Sequence, residues 1–145
     1  METYDVLKLE NQLCFPLYAA AREVVKQYHP YLSELDLTYT QYIAMMVFWE
    51  ERQINVKTLG KKLFLDSGTL TPVLKSLEGK GYITRNRSGA DERVLIAQVT
   101  QAGMALREKA INVPLRVGSC IPLDAKDAAE LYRILHTLLI NFSER

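Results

Sequence analysis

The hydrophobic period of the chain changes between Gly79 and Gly81, and this change restricts the fold more than any other feature. Before it, apolar residues recur at steps of three and four, as in amphipathic helices. After it, Tyr82-Ile83-Thr84-Arg85 reads as a strand, Ser88-Gly89-Ala90-Asp91 carries turn chemistry, and Val94 to Val99 reads as the return strand of a hairpin. Upstream of the glycines, three helices follow in quick succession. Thr38 is placed to cap a helix over Tyr39–Glu51, which is apolar on nearly every side and so belongs at the centre of something larger. Asn55 is placed to cap Val56–Leu63, and Asp66 or Ser67 to cap Gly68–Glu78. Helix, helix, helix and hairpin in that order describe a winged helix-turn-helix.

Longer helices flank this module. From about Asn11 to His29, Leu13, Leu17, Ala20, Val24 and Tyr28 form one apolar stripe. Pro30 should end that helix, because the residue before a proline is pushed out of the helical region. Pro16 fits if the helix starts near Phe15; otherwise the helix must bend. Downstream, Thr100 is placed to cap a helix that runs to about Ile111, before Pro114. Asp124 opens a last helix with the stripe Leu131, Ile134, Leu135, Leu138, Leu139 and Phe142. A chain of 145 residues cannot easily cover apolar stripes at both of its ends, so these helices are expected to bury them in a two-fold homodimer. The expected architecture is mainly α with a small β-hairpin, a single chain over 1–145. Residues 38–100 form the winged module, and 7–30 and 101–145 the dimerisation helices.

With 48% hydrophobic and 24% charged residues the chain is globular, not disordered. Its longest apolar run, Tyr42 to Trp49, is eight residues, far short of the ~20 that span a bilayer. The first residues carry acid where a signal peptide carries base. The expected location is the cytoplasm, with no membrane partner, and two cysteines 106 positions apart are then expected to be free thiols. His29 and His136 have no ligand-type neighbour at metal spacing, so neither a metal nor a cofactor is expected.

The net charge of +1 hides an asymmetry. Residues 55–93 hold eight basic and four acidic side chains, a net of +4, while the rest, ten against thirteen, carries −3. A basic winged helix-turn-helix in an acidic frame is the electrostatic footprint of a duplex-DNA binder. The expected reading helix opens with Ser67, Gly68, Thr69 and Thr71, short groups that let a helix N-terminus approach bases and phosphates, and Lys75 follows one turn on. In the wing, Arg85, Arg87 and Arg93 bracket a tight turn, placed for a narrow and negative minor groove.

The string Leu65-Asp66-Ser67-Gly68-Thr69-Leu70-Thr71-Pro72-Val73-Leu74-Lys75, followed by Asp91-Glu92-Arg93 and Leu95 to Thr100, resembles the MarR family of winged-helix repressors. With Leu9-Glu10-Asn11-Gln12-Leu13-Cys14-Phe15, Tyr28 and Leu37-Thr38-Tyr39, it resembles the branch that senses organic hydroperoxides through an N-terminal cysteine. The resemblance runs from about Lys8 to Pro114. It implies a homodimer that holds operator DNA while the cysteine is reduced. It also implies that an organic hydroperoxide converts the thiolate to a sulfenic acid, that a mixed disulfide with a small thiol or a second protein bond follows, and that DNA is then released. Cys14 matches the peroxidatic cysteine. Tyr28 and Tyr39 match two tyrosines that hydrogen-bond it, and Asp91 belongs to the wing motif.

Helix geometry sets a condition on that site. Cys14 and Tyr28 fall within about 40° of one face but roughly 21 Å apart along a straight helix, so they meet only across two subunits. Taken alone, a cysteine on an apolar stripe is ordinarily a small buried hydrophobe. Cys120, in the break Gly118-Ser119-Cys120-Ile121-Pro122, departs from the one-cysteine pattern. Two-cysteine relatives carry a resolving cysteine in roughly this region, so Cys120 is either that or an inert loop thiol. Two rival functions share the residues: a MarR-type repressor released by a phenolic or drug-like ligand in the dimer cleft, and a thiol peroxidase. Such an enzyme normally needs an electrophile-orienting Arg or Thr beside its cysteine, in a thioredoxin-like sheet, and this chain shows neither.

Overall fold

The computed structural model describes residues 2–145. Two 3-10 turns, Thr3–Leu7 and Leu9–Asn11, lead into α1, Cys14–Ser33. Then follow α2 (Tyr39–Glu51), β1 (Gln53–Asn55), α3 (Val56–Leu63), α4 (Ser67–Gly79), β2 (Ile83–Arg87), β3 (Leu95–Val99), α5 (Gln101–Ala110), α6 (Val113–Gly118) and α7 (Ala125–Ser143).

The expected caps form. Thr38 accepts from the Gln41 amide at 3.2 Å while Gln41 Oε1 accepts from the Thr38 amide at 3.1 Å, a reciprocal capping box that starts α2. Asn55, Thr100 and Asp124 cap α3, α5 and α7 through their side-chain oxygens. At α4 the cap is Asp66, whose Oδ1 accepts from the Thr69 amide at 2.8 Å, and Ser67 becomes the first helical residue.

The sequence led us to expect that Pro30 ends α1, but the helix runs on to Ser33. The amide that proline lacks forfeits one bond, but Leu32 is buried and its carbonyl accepts from the Leu35 and Leu37 amides, so packing and the closing turn hold the last residues helical. Pro16 sits within the first turn, where its missing amide costs nothing. Helix α6, not foreseen from sequence, starts just beyond the expected end of α5, and Pro114 fits because it lies at a helix start. The wing strands are shifted, starting at Ile83 and Leu95.

A third strand, not foreseen, completes the sheet. It has the order β1-β3-β2 and is antiparallel throughout, with Ile54 opposite Ala97 and Arg85 opposite Ala97 from the other side. The core surrounds α2, where Met45 and Phe48 are fully buried against Leu32, Leu59, Leu74, Leu77, Ile83 and Ala97. Gly103 in α5 allows close approach, since a Cβ there would collide with the Tyr82 carbonyl, and the Gly103 carbonyl accepts from Trp49 Nε1 at 2.8 Å. The terminal helices differ. No residue of α7 is buried, and Leu13, Tyr18, Leu115, Ile134 and Phe142 are all exposed.

Candidate functional site

The first candidate surface is the outer edge of the winged module. Ser67, Gly68, Thr69, Thr71 and Lys75 are all exposed on α4. The Asp66 carboxylate, held below its usual range by the hydrogen bonds it accepts from Thr69, fixes the helix start and leaves the Ser67 side chain without a hydrogen bond among the described residues.

The wing arginines part ways. Arg85 sits in mid-strand, not at the tip. Its Nη2 donates to Glu78 Oε1 at 3.1 Å and its amide to Glu78 Oε2 at 3.0 Å, so it braces β2 against α4. That pairing holds the Glu78 carboxyl below its usual range. Arg93 lies at the turn with its side chain 90% exposed. Asp91 grips it by both carboxylate oxygens, accepting from Nε at 3.1 Å and from Nη2 at 3.2 Å, and also accepts from the Arg93 amide at 3.0 Å. Asp91 therefore aims the guanidinium. Arg87 is exposed and free of ion pairs among the described residues. Between α3, α4, the wing and the end of α7 lies a groove of about 1080 Å³, lined by Lys57, Lys61, Phe64, Ser67, Thr71, Arg93 and Phe142 among others.

The second candidate site is the thiol region. Cys14 is the first residue of α1; it is exposed and has no hydrogen-bond partner among the described residues. Tyr28 and Tyr39, from α1 and α2, meet edge-on with ring centroids 4.9 Å apart, and Tyr42 lies 5.8 Å from the first and 6.2 Å from the second. Burial, then the neighbouring Tyr28, raises the Tyr39 hydroxyl above its ordinary value. The same causes, with Tyr39 added, push Tyr42 up to about 12. Tyr39 and Tyr42 therefore stay protonated donors at neutral pH. The structure brings the tyrosines together and leaves Cys14 apart from them, since α1 is one continuous helix between Cys14 and Tyr28.

Cys120 has partners that sequence reading missed. Its Sγ lies 3.5 Å from the Tyr31 hydroxyl and 3.5 Å from the Arg116 carbonyl. The Arg116 guanidinium covers the Tyr31 ring at 4.2 Å and pairs with Glu34 at 3.2 Å. The bond to Cys120 raises the Tyr31 hydroxyl above its ordinary value. Tyr31 and Cys120 are 89 positions apart, and no local pattern announces such a pair.

The family described as transcriptional regulator SarA/Rot matches residues 26–110, from late α1 through α5. The organic hydroperoxide resistance transcriptional regulator of Bacillus subtilis is 47% identical over 136 residues, 94% of this chain and 92% of that one. The chain belongs to the SarA/Rot family of transcriptional regulators. The regulator is also 44% identical to the HTH-type transcriptional regulator SarZ of Staphylococcus saprophyticus, over 90% of each chain. Its fold matches reduced AbfR bound to DNA with a TM-score of 0.80 and 31% identity, covering 99% of this chain and 98% of that one. AbfR in a disulfide-formed state matches at 35% identity with a TM-score of 0.64, covering 92% and 93%. The matching family and the Bacillus and Staphylococcus saprophyticus relatives are named as transcriptional regulators, not as enzymes.

Proposed function

We propose that the regulator is a peroxide-sensing repressor that works as a homodimer in the cytoplasm. Residues 38–100 read operator DNA, with Ser67, Gly68, Thr69, Thr71 and Lys75 entering the major groove. Arg93, aimed by Asp91, and Arg87 follow the wing into the minor groove. Arg85 acts indirectly, by keeping the wing against α4. Residues 7–30 and 101–145 join the two subunits.

The observation that carries the sensing half is the separation along α1. An exposed, unpartnered Cys14 starts a helix whose far end holds Tyr28 against Tyr39, and the apolar face between them is open. An antiparallel second copy of α1 brings the thiol of one subunit to the tyrosines of the other. There the hydroxyls donate to sulfur and favour a thiolate, the form that attacks peroxide. Sulfur takes one oxygen from the hydroperoxide, giving Cys14 sulfenic acid and releasing the alcohol. Cys120 of the opposite subunit then condenses with the sulfenic acid, forming the disulfide and expelling water; without it a small thiol does so. The names of the relatives support this reading: one is a hydroperoxide resistance regulator, and AbfR is known both reduced on DNA and disulfide-formed.

Gel shift with reduced and cumene hydroperoxide-treated protein tests the proposal. The reduced parent should bind and the treated parent release, Cys14→Ser should bind and not release, and Tyr39→Phe should oxidise more slowly. Release of Cys14→Ser at the parent's peroxide dose sinks the redox reading. A covalent dimer on a non-reducing gel, lost in Cys120→Ser, is the expected mark of the resolving thiol.

A further inference from the structure

One polar side chain is buried in the core of the described residues: Gln41, 8% exposed. It lies two positions beyond Tyr39, and both ends of its amide bond to other groups. Its Oε1 accepts from the Thr38 amide at 3.1 Å and from Lys80 Nζ at 3.1 Å. Its Nε2 donates to Ser76 Oγ at 3.0 Å. Ser76 lies in α4, and Lys80 caps its end. Lys80 in turn binds the Asp36 carbonyl, and its Nζ is 3.6 Å from the Asp36 carboxylate. Asp36 sits in the turn between α1 and α2 with φ 54°, in the left-handed region.

The turn that joins the two tyrosine-bearing helices is thus wired to the reading helix. A buried amide with both ends satisfied is costly to disturb, because each broken bond leaves a desolvated polar group. Apolar contacts can slide past one another; this network holds one register. We propose that Gln41, with Ser76 and Lys80, is a positioning element that couples the Tyr28–Tyr39 pair to the orientation of α4. When the tyrosines move, the start of α2 moves with Thr38 and Gln41, and α4 is drawn after it through Ser76 and Lys80. This inference rests on the peroxide-sensing reading above.

The test uses full-length protein and a duplex selected from a random pool by the reduced parent. Affinity is measured for reduced and cumene hydroperoxide-treated protein, alongside Cys14 oxidation by mass spectrometry and the melting temperature. The parent should lose affinity on oxidation by about 5- to 150-fold, the ordinary span of coupling between sites. Gln41→Leu and Ser76→Ala should keep reduced affinity within about 3-fold and oxidise Cys14 at the parent's rate, yet show a ratio of oxidised to reduced Kd at least about 5-fold smaller. Gln41→Glu, which retains acceptors for Thr38 and Lys80 and can take a bond from the Ser76 hydroxyl, should restore the ratio.

Variants that melt lower but release DNA with the parent's ratio make the network a brace only and overturn the coupling. Loss of reduced affinity as large as the parent's loss on oxidation overturns it too. Should Gln41→Leu fail to fold, Ser76→Ala alone decides. A parent whose Cys14 oxidises without release sinks the sensing reading and the coupling with it, whereas release by parent and variants alike sinks the coupling alone.

Discussion

The winged module and the helices that flank it solve the same problem differently. Around α2 the module closes its own core, with Met45, Phe48, Leu59, Leu74 and Leu77 at or near zero exposure. Helix α7 has a comparable stock of leucine and isoleucine and buries none of it. The contrast teaches where the chain's independence ends. The module is complete within one chain, while α1 and α7 present apolar surface that only another surface can remove from water.

The largest expected effect attacks the open side. The double variant Ile134→Glu, Leu138→Glu places charge on the exposed α7 stripe. It should sediment as a monomer and bind operator about 10²–10⁴-fold more weakly, the advantage lost when two linked contacts become one. The module should keep its secondary structure by circular dichroism. A dimer that persists would show that the α7 stripe does not hold the subunits together.

A smaller effect probes the closed side. Tyr42 is 3% exposed, and its hydroxyl is pushed up to about 12 from the ordinary 10.0. The folded state favours the protonated phenol, so its contribution is complete below pH 10 and is lost as pH rises from 10 towards 12. Unfolding free energy should fall across that window by on the order of 2 kcal/mol. Tyr42→Phe should flatten the fall. An equal fall in the variant would assign it to other groups.

The smallest effect separates two arginines of the same wing. Arg93→Ala should leave the melting temperature alone, weaken operator binding by about 1–2 kcal/mol and lower the slope of log K against log salt by about 0.9. Arg85→Ala should do the reverse, lowering the melting temperature while changing the salt slope little, because its charge is already spent on Glu78. Identical behaviour in the two would erase the distinction between bracing and reading.

Much of the site was legible in the chain because its physics is local. Capping by Thr38, Asn55, Thr100 and Asp124 needs only an oxygen within three residues of an amide, and all four form. Asp91 and Arg93 are two positions apart, and a tight turn suffices to bring them together. The misses are distant. Strand β1 is three residues long and exists because β3, some forty positions on, supplies its partners. Pro30 obeyed no local rule because the burial of Leu32 outweighed it.

By itself, then, the sequence determined the order of helices and wing, the basic character of the reading edge and the presence of Cys14 and Tyr28 on one helical face, since period, capping and charge act over a few residues. Tertiary structure alone decided that Arg85 braces while Arg93 points outward, that Tyr31 meets Cys120, and that Gln41 ties the α1–α2 turn to α4. Each of these brings together residues from separate elements, or divides residues of one hairpin. Which polar group finds which partner depends on how those elements pack, and no residue carries that information in its neighbours along the chain.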